Sequence, residues 1–248
     1  MSAALRLVHP VRSPDELAGV WRADQLQQAS QAVLASGHAE LDAELPGGGW
    51  PLGQLTEVLQ VRSGQHEWRL LLPALKAAVA HGPLVLIGAP LLPHLPALAA
   101  AGIPAAKLLR IDARTPAERL WAAEQVLRCR DLGALLAWLP QARPEQLRRL
   151  QLASIVTQAL VFVFRPEAVR HESSPAPLRL TLRTAAEEQG LNIELFKRRG
   201  PVTDRPLTLA APLPVMAALR KRRPLKDPGH AVDRPAPTRP ARRQLQSA

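Results

Sequence analysis

The sequence predicts an α/β domain built on a mainly parallel sheet with helices on both faces, and three observations carry that prediction. Continuous apolar runs of strand length recur along the chain. Amphipathic stretches of helical length separate them, as they do where strands are buried on both faces. Near the end the pattern changes to two alternating strands, which predict a terminal antiparallel hairpin.

A helix is expected from Asp15 through Leu34, where Leu17, Val20, Trp21, Leu26 and Val33 recur at roughly helical spacing and Pro14 suits the helix start. The segment from Leu41 to Gly53 is rich in glycine and proline and predicts a loop. Gln54 to Leu59 reads as the first core strand. The alternation then runs through helix Trp68 to His81, strand Leu84 to Gly88, and helix Pro93 to Ala101 with Gly102 as its C-terminal stop. Strand Lys107 to Ile111 precedes helix Pro116 to Arg130, where Thr115 and Glu118 have capping-box spacing. Strand Ala134 to Leu139, helix Pro144 to Gln151 and strand Ala159 to Phe164 complete the parallel part. Leu178 to Thr184 and Asn192 to Lys197, joined at Gly190, form the expected hairpin.

The chain of 248 residues is 47% hydrophobic, enough for one sizeable core and short for two ordinary domains. It contains neither an apolar run of membrane-spanning length nor an N-terminal signal-peptide pattern, so a cytoplasmic protein is expected. The lone Cys129 falls in a helical pattern and reads as a small core residue. The net charge of +11 is concentrated at the end: Met216 to Ala248 holds nine Lys or Arg and two Asp. That segment is also rich in proline and poor in large apolar residues, so a disordered basic tail is expected. The organisation that follows is an N-terminal helical segment over 1–38, a core domain over 39–215 and the tail over 216–248.

Four segments, LDAELPGGGWPLGQLTEV, VLIGAPLLPHLPALAAAGI, ALVFVFRP and LNIELFKRRGP, together resemble the RecA core over about Ala39 to Pro201. Within that superfamily VWRADQL, LPGGGWPLGQLTE and RLLLPAL look most like the ImuA family of accessory proteins, partners of the polymerase-like ImuB in bacterial mutagenesis cassettes. The resemblance implies a phosphate loop after the first core strand. Such a loop needs glycines, a Lys for the phosphate charge and a hydroxyl for Mg²⁺. Here it reads QVRSGQHEW. Ser63, Gly64 and Gln65 lead to His66 where the second glycine belongs. Glu67 stands in the place of the lysine, and Trp68 in that of the hydroxyl residue. The resemblance also places Pro90 where the water-activating carboxylate belongs, and Ala137 or Trp138 where the metal-side aspartate belongs. The expectation is a non-catalytic, degenerate RecA-like fold with no cofactor and no metal.

Gly47, Gly48 and Gly49 precede the strand and are expected to form a structural turn. Trp121 and Trp138 fall on apolar elements and read as core, while Trp21, Trp50 and Trp68 are candidate interface anchors. Lys197, Arg198 and Arg199 follow the hairpin, where RecA-type proteins bring positive charge toward nucleotide or DNA; a solvated strand end is the alternative. Arg220, Lys221, Arg222 and Arg223 are candidates for weak nonspecific DNA contact or for partner docking. The implied function is that of a scaffold for an error-prone translesion synthesis complex in the DNA-damage (SOS) response. Its implied partners are ImuB and, through it, a replicative-type polymerase and the sliding clamp, with RecA itself a further candidate. The rival is the SulA family of division inhibitors, which bind the tubulin-like division protein. As the resemblance implies, SulA members are shorter and lack an extended basic tail.

Overall fold

A computed structural model describes residues 32–185, 190–200 and 206–210. Its first element, strand β1 (Val33–Leu34), pairs antiparallel with β2 (Trp50–Pro51), and the short helix α1 (Ala39–Glu44) lies between them. The main sheet begins with β3 (Leu55–Gln60), followed by helix α2 (Glu67–Ala78), strand β4 (Leu84–Ile87), helix α3 (Leu95–Ala100) and strand β5 (Leu108–Ile111). Helix α4 (Pro116–Leu127), strand β6 (Ala134–Trp138), helix α5 (Pro144–Ser154) and strand β7 (Leu160–Pro166) continue the alternation. Strands β8 (Leu178–Thr184), β9 (Gly190–Lys197) and β10 (Leu207–Ala210) finish it.

The eight strands lie in the order β10-β9-β8-β3-β7-β6-β4-β5. From β8 to β5 every neighbouring pair is parallel, and β8-β9-β10 is antiparallel. Because side chains alternate across a strand, each apolar run supplies both faces. Leu136, Phe162 and Phe164 meet α2 through Leu70, Leu71 and Leu75 on one face. On the other, Val85, Leu135 and Val163 meet Leu120 and Leu127 of α4 and Leu147 of α5. Helices on both faces therefore follow from runs too apolar to leave either face wet.

Local signals account for several boundaries. The Thr115 hydroxyl accepts from the Glu118 amide, and the Glu118 carboxylate accepts from the Thr115 amide, so the capping box forms. The Thr115 and Arg114 backbone amides, which both donate to that carboxylate, are the main causes that hold the Glu118 carboxyl below its ordinary range. Gly37 has φ of +81°, and a Cβ there would sit 2.3 Å from that of Pro73 in α2, so both conformation and close approach require glycine.

The structure corrects several expectations. The expected loop from Leu41 begins inside α1, because Leu41 and Leu45 are buried and the Asp42 carboxylate accepts from the Ser36 amide at 2.7 Å. Val33 and Leu34 lie in a strand rather than at the end of a helix; the rest of the expected helix, Asp15 onward to residue 31, lies outside the described residues. Gly190 opens β9 rather than turning the hairpin, and β10 is an additional edge strand. Trp121 is 66% exposed, because Leu120, Ala123 and Leu127 set the buried stripe of α4 and residue 121 is turned off it. Cys129 is exposed, since α4 ends at Leu127. The basic tail lies outside the described residues.

Candidate functional site

The loop after β3 is the candidate site, and its position follows from the sheet. Strand β3 is central, with β7 and β8 as parallel neighbours, and the loop over 61–66 joins its C-terminal end to the N-terminus of α2. Ligands of open parallel sheets bind outside these strand ends. A strand, a glycine-containing turn and a helix N-terminus together form an anion cradle, because the first helical amides lack internal acceptors.

Here the cradle holds the chain's own carboxylate. Glu67, the first residue of α2, is 1% exposed. Its Oε1 accepts from the Gly64 amide at 2.6 Å, from Gln60 Nε2 at 2.6 Å and from Trp138 Nε1 at 2.9 Å. Its Oε2 accepts from the His66 amide at 3.0 Å. A buried carboxylate is tolerated only when its oxygens are hydrogen-bonded, and the start of a helix favours negative charge. Two loop amides of the kind that cradle a phosphate thus point at a side chain. Gly64 has φ of +91°, and a Cβ there would press on the Leu91 side chain at 3.0 Å.

Glu67, Pro90 and Trp138, the three positions that the resemblance sets against a nucleotide site, meet physically. Trp138 donates to Glu67 and stacks on Phe164 with ring centroids 4.6 Å apart. Pro90 and Leu91 close over Gly64. A cleft of about 120 Å³ remains, lined by Gly64, Trp68, Pro90, Leu91, Leu92 and Trp138 among others. Beside it, His66 Nε2 lies 2.9 Å from the Thr184 hydroxyl at the end of β8. Burial first, and then the Arg69 charge, push the His66 imidazole below its ordinary value, against the opposing pull of Glu67.

The other candidates separate from this centre. Ser63 and Gln65 are exposed on the loop. Trp50 is fully buried, edge-to-face on Phe162 with centroids 5.2 Å apart, so it is a core residue rather than an interface anchor. Trp68 is half-buried at the cleft, and Trp21 lies outside the described residues. Lys197, Arg198 and Arg199 stand at the opposite end of the sheet from the loop. Lys197 pairs in register with Arg179, and Arg179 with Glu57 near the start of β3. Lys197 Nζ donates to the Ser174 carbonyl at 2.6 Å, and burial pulls its ammonium below the ordinary lysine value. Arg198 bonds the Glu44 carbonyl and lies 3.0 Å from its carboxylate. Arg220, Lys221, Arg222 and Arg223 lie outside the described residues.

Sequence reasoning missed a second buried group. Glu57, on β3 and fully buried, accepts from Arg165 of β7 at 2.8 Å and from Arg179 of β8 at 2.6 Å. Arg165 also donates to the Ala142 carbonyl and to Glu172, and Arg179 donates to three carbonyls in the β7–β8 connection. The available signal was a charged residue inside each of three apolar runs.

Among the described residues no group of three or more His, Cys, Asp or Glu is placed to hold a metal ion, and no helix is long and apolar enough to cross a membrane. No protein-family model matches the chain, and no curated protein matches it.

Proposed function

We propose that this chain is a non-catalytic accessory protein with a RecA-like core, similar to the ImuA family, that serves as a scaffold in an error-prone translesion synthesis complex of the bacterial DNA-damage response. The observation that carries the non-catalytic half is the Glu67 carboxylate, which takes the amides of Gly64 and His66 for itself. A triphosphate entering there would displace four hydrogen bonds and meet a like charge. Each bond to the charged group is worth about 1.5–3 kcal/mol, and the carboxylate left behind would be buried without partners. A central parallel strand, a turn and a helix N-terminus in that order support the RecA-like reading.

The scaffold half rests on the resemblance of VWRADQL, LPGGGWPLGQLTE and RLLLPAL to ImuA. On that reading the protein is cytoplasmic and its direct partner is ImuB. Through ImuB it reaches a replicative-type polymerase and the sliding clamp, with RecA a second candidate partner and the basic tail a weak DNA contact.

The test is capture of purified ImuB, RecA and the tubulin-like division protein by the immobilised full-length chain, with and without Mg²⁺-ATP. Capture of ImuB to the same extent in both conditions is the expected result. Capture of the division protein alone would make the chain a SulA-like division inhibitor and overturn the scaffold reading.

A further inference from the structure

We infer that the cleft between the N-terminus of α4 and the loop after β6 is a binding site for a small organic carboxylate, an anionic head on a short apolar body. The inference goes beyond the scaffold reading, and neither depends on the other.

The cleft lies outside the C-terminal ends of three neighbouring parallel strands, where open sheets of this kind bind ligands. Strand β4 stands between β6 and β5 in the sheet. Arg114 comes from the segment after β5, Leu139 and Ala142 from the loop after β6, and Gly88, which follows β4, lies against Arg119. The cavity measures about 200 Å³.

Its charge has one sign. Arg114 and Arg119 line it, and no Asp or Glu does. Arg119 is half-buried and fixed in place: its Nε donates to the Ala113 carbonyl at 3.1 Å, and a Cβ on Gly88 would sit 2.7 Å from that nitrogen. Among the described residues nothing bonds to the two terminal nitrogens of Arg119 or to the guanidinium of Arg114. The acids nearest in sequence are engaged elsewhere. Asp112 pairs with Arg110, and one oxygen of Glu118 accepts from the amides of Arg114 and Thr115. The Arg114 guanidinium acts on Glu118 through charge at a distance, without an ion pair. Two guanidinium groups with unused donors on one cavity wall match an oxyanion, which their planar forks can bind in pairs of hydrogen bonds.

The rest of the wall selects among oxyanions. Leu120, Leu139 and Ala142, all buried, line the same cavity. An apolar body covers them, whereas inorganic phosphate would leave them wet. Phosphate at a helix start also relies on backbone amides. Here the amides of Arg114 and Thr115 are held by Glu118, that of Glu118 is held by the Thr115 hydroxyl, and Pro116 has none. The volume of about 200 Å³ exceeds the ~150 Å³ that admits benzene and falls short of the ~300 Å³ at which sites for drug-sized ligands begin, so the body is about one ring in size.

Isothermal titration of the full-length chain with benzoate and with hexanoate tests the site. Benzamide supplies the ring without the charge, and inorganic phosphate the charge without the body, all at one ionic strength. The expected result is saturable binding of at least one of the two carboxylates at one site per chain, with benzamide and phosphate at least tenfold weaker. Arg114→Gln and Arg119→Gln should each weaken the carboxylate at least tenfold, while Arg128→Gln, just past the far end of α4, leaves it unchanged. Arg114 is exposed and its side chain bonds to nothing described, so its variant decides the matter even where Arg119→Gln fails to fold. Absence of saturable binding at millimolar carboxylate would overturn the inference. So would equal binding of benzamide or phosphate, unchanged binding by Arg114→Gln, or an equal loss in Arg128→Gln.

Discussion

At the scale of single residues, Glu67 and its donors make a sharp stability prediction. Glu67→Gln places an amide nitrogen among groups that all donate, so at least one buried donor loses its acceptor. The expected cost is about 1–3 kcal/mol, read as a lower urea midpoint at unchanged slope. Glu67→Lys should cost more, because a buried cation would face four donors, and a lysine introduced there should not create nucleotide binding while Trp138 and Pro90 stay in place. If Glu67→Gln were neutral in denaturant, the hydrogen bonds assigned to its carboxylate would be wrong. His66 adds a pH dependence with a definite sign. Its folded-state value lies below the ordinary 6.5, so as pH falls below about 6.5 the unfolded chain binds a proton that the folded chain resists. Stability attributable to His66 is therefore present above that pH and lost below it. The fall in stability between pH 7.5 and 5.5 should be shallower in His66→Asn than in the parent, and equal slopes would contradict the assignment.

At the scale of elements, the most consequential tie is Glu57, which joins β3 to β7 and β8 through Arg165 and Arg179. Removing one member of a buried ionic group leaves uncompensated charge, at a typical cost of about 3–5 kcal/mol. Glu57→Gln should therefore unfold at a much lower denaturant concentration than Glu67→Gln, and a loss under 1 kcal/mol would show that water reaches the two guanidinium groups. The parallel strands and their helices were legible because continuous apolar runs and amphipathic stretches are local patterns. Helix α1 was not, since the glycine and proline turn beside it dominates the composition while its stability comes from burying Leu41 and Leu45. The edge strand β10 was missed because four residues flanked by prolines carry little periodicity. Trp121 and Cys129 show a different limit, in which apolar character indicates a helix but one residue of rotation, or one residue past its end, decides exposure.

For the molecule as a whole, the resemblance to the RecA core directed attention to the loop after β3 and to Glu67, Pro90 and Trp138, which the structure brings together. It did not show that Glu67 turns inward. That orientation depends on Trp138, 71 residues away, whose indole the fold brings beneath the loop. Glu57 was hidden for the same reason, its partners lying 108 and 122 residues away. The two ends of the sheet then divide the charged candidates. His66 and Glu67 stand at the C-terminal ends of the parallel strands, while Lys197 and Arg198 are held in internal contacts at the other end. The proposal at the centre of the account is that a RecA-like fold has filled its phosphate loop with its own carboxylate, Glu67, and acts through protein contacts. The most direct measurement is an equilibrium titration of the full-length chain with a fluorescent ATP analogue and Mg²⁺, extended to millimolar nucleotide. The account predicts no saturable signal; saturable binding displaced by unlabelled ATP would contradict it.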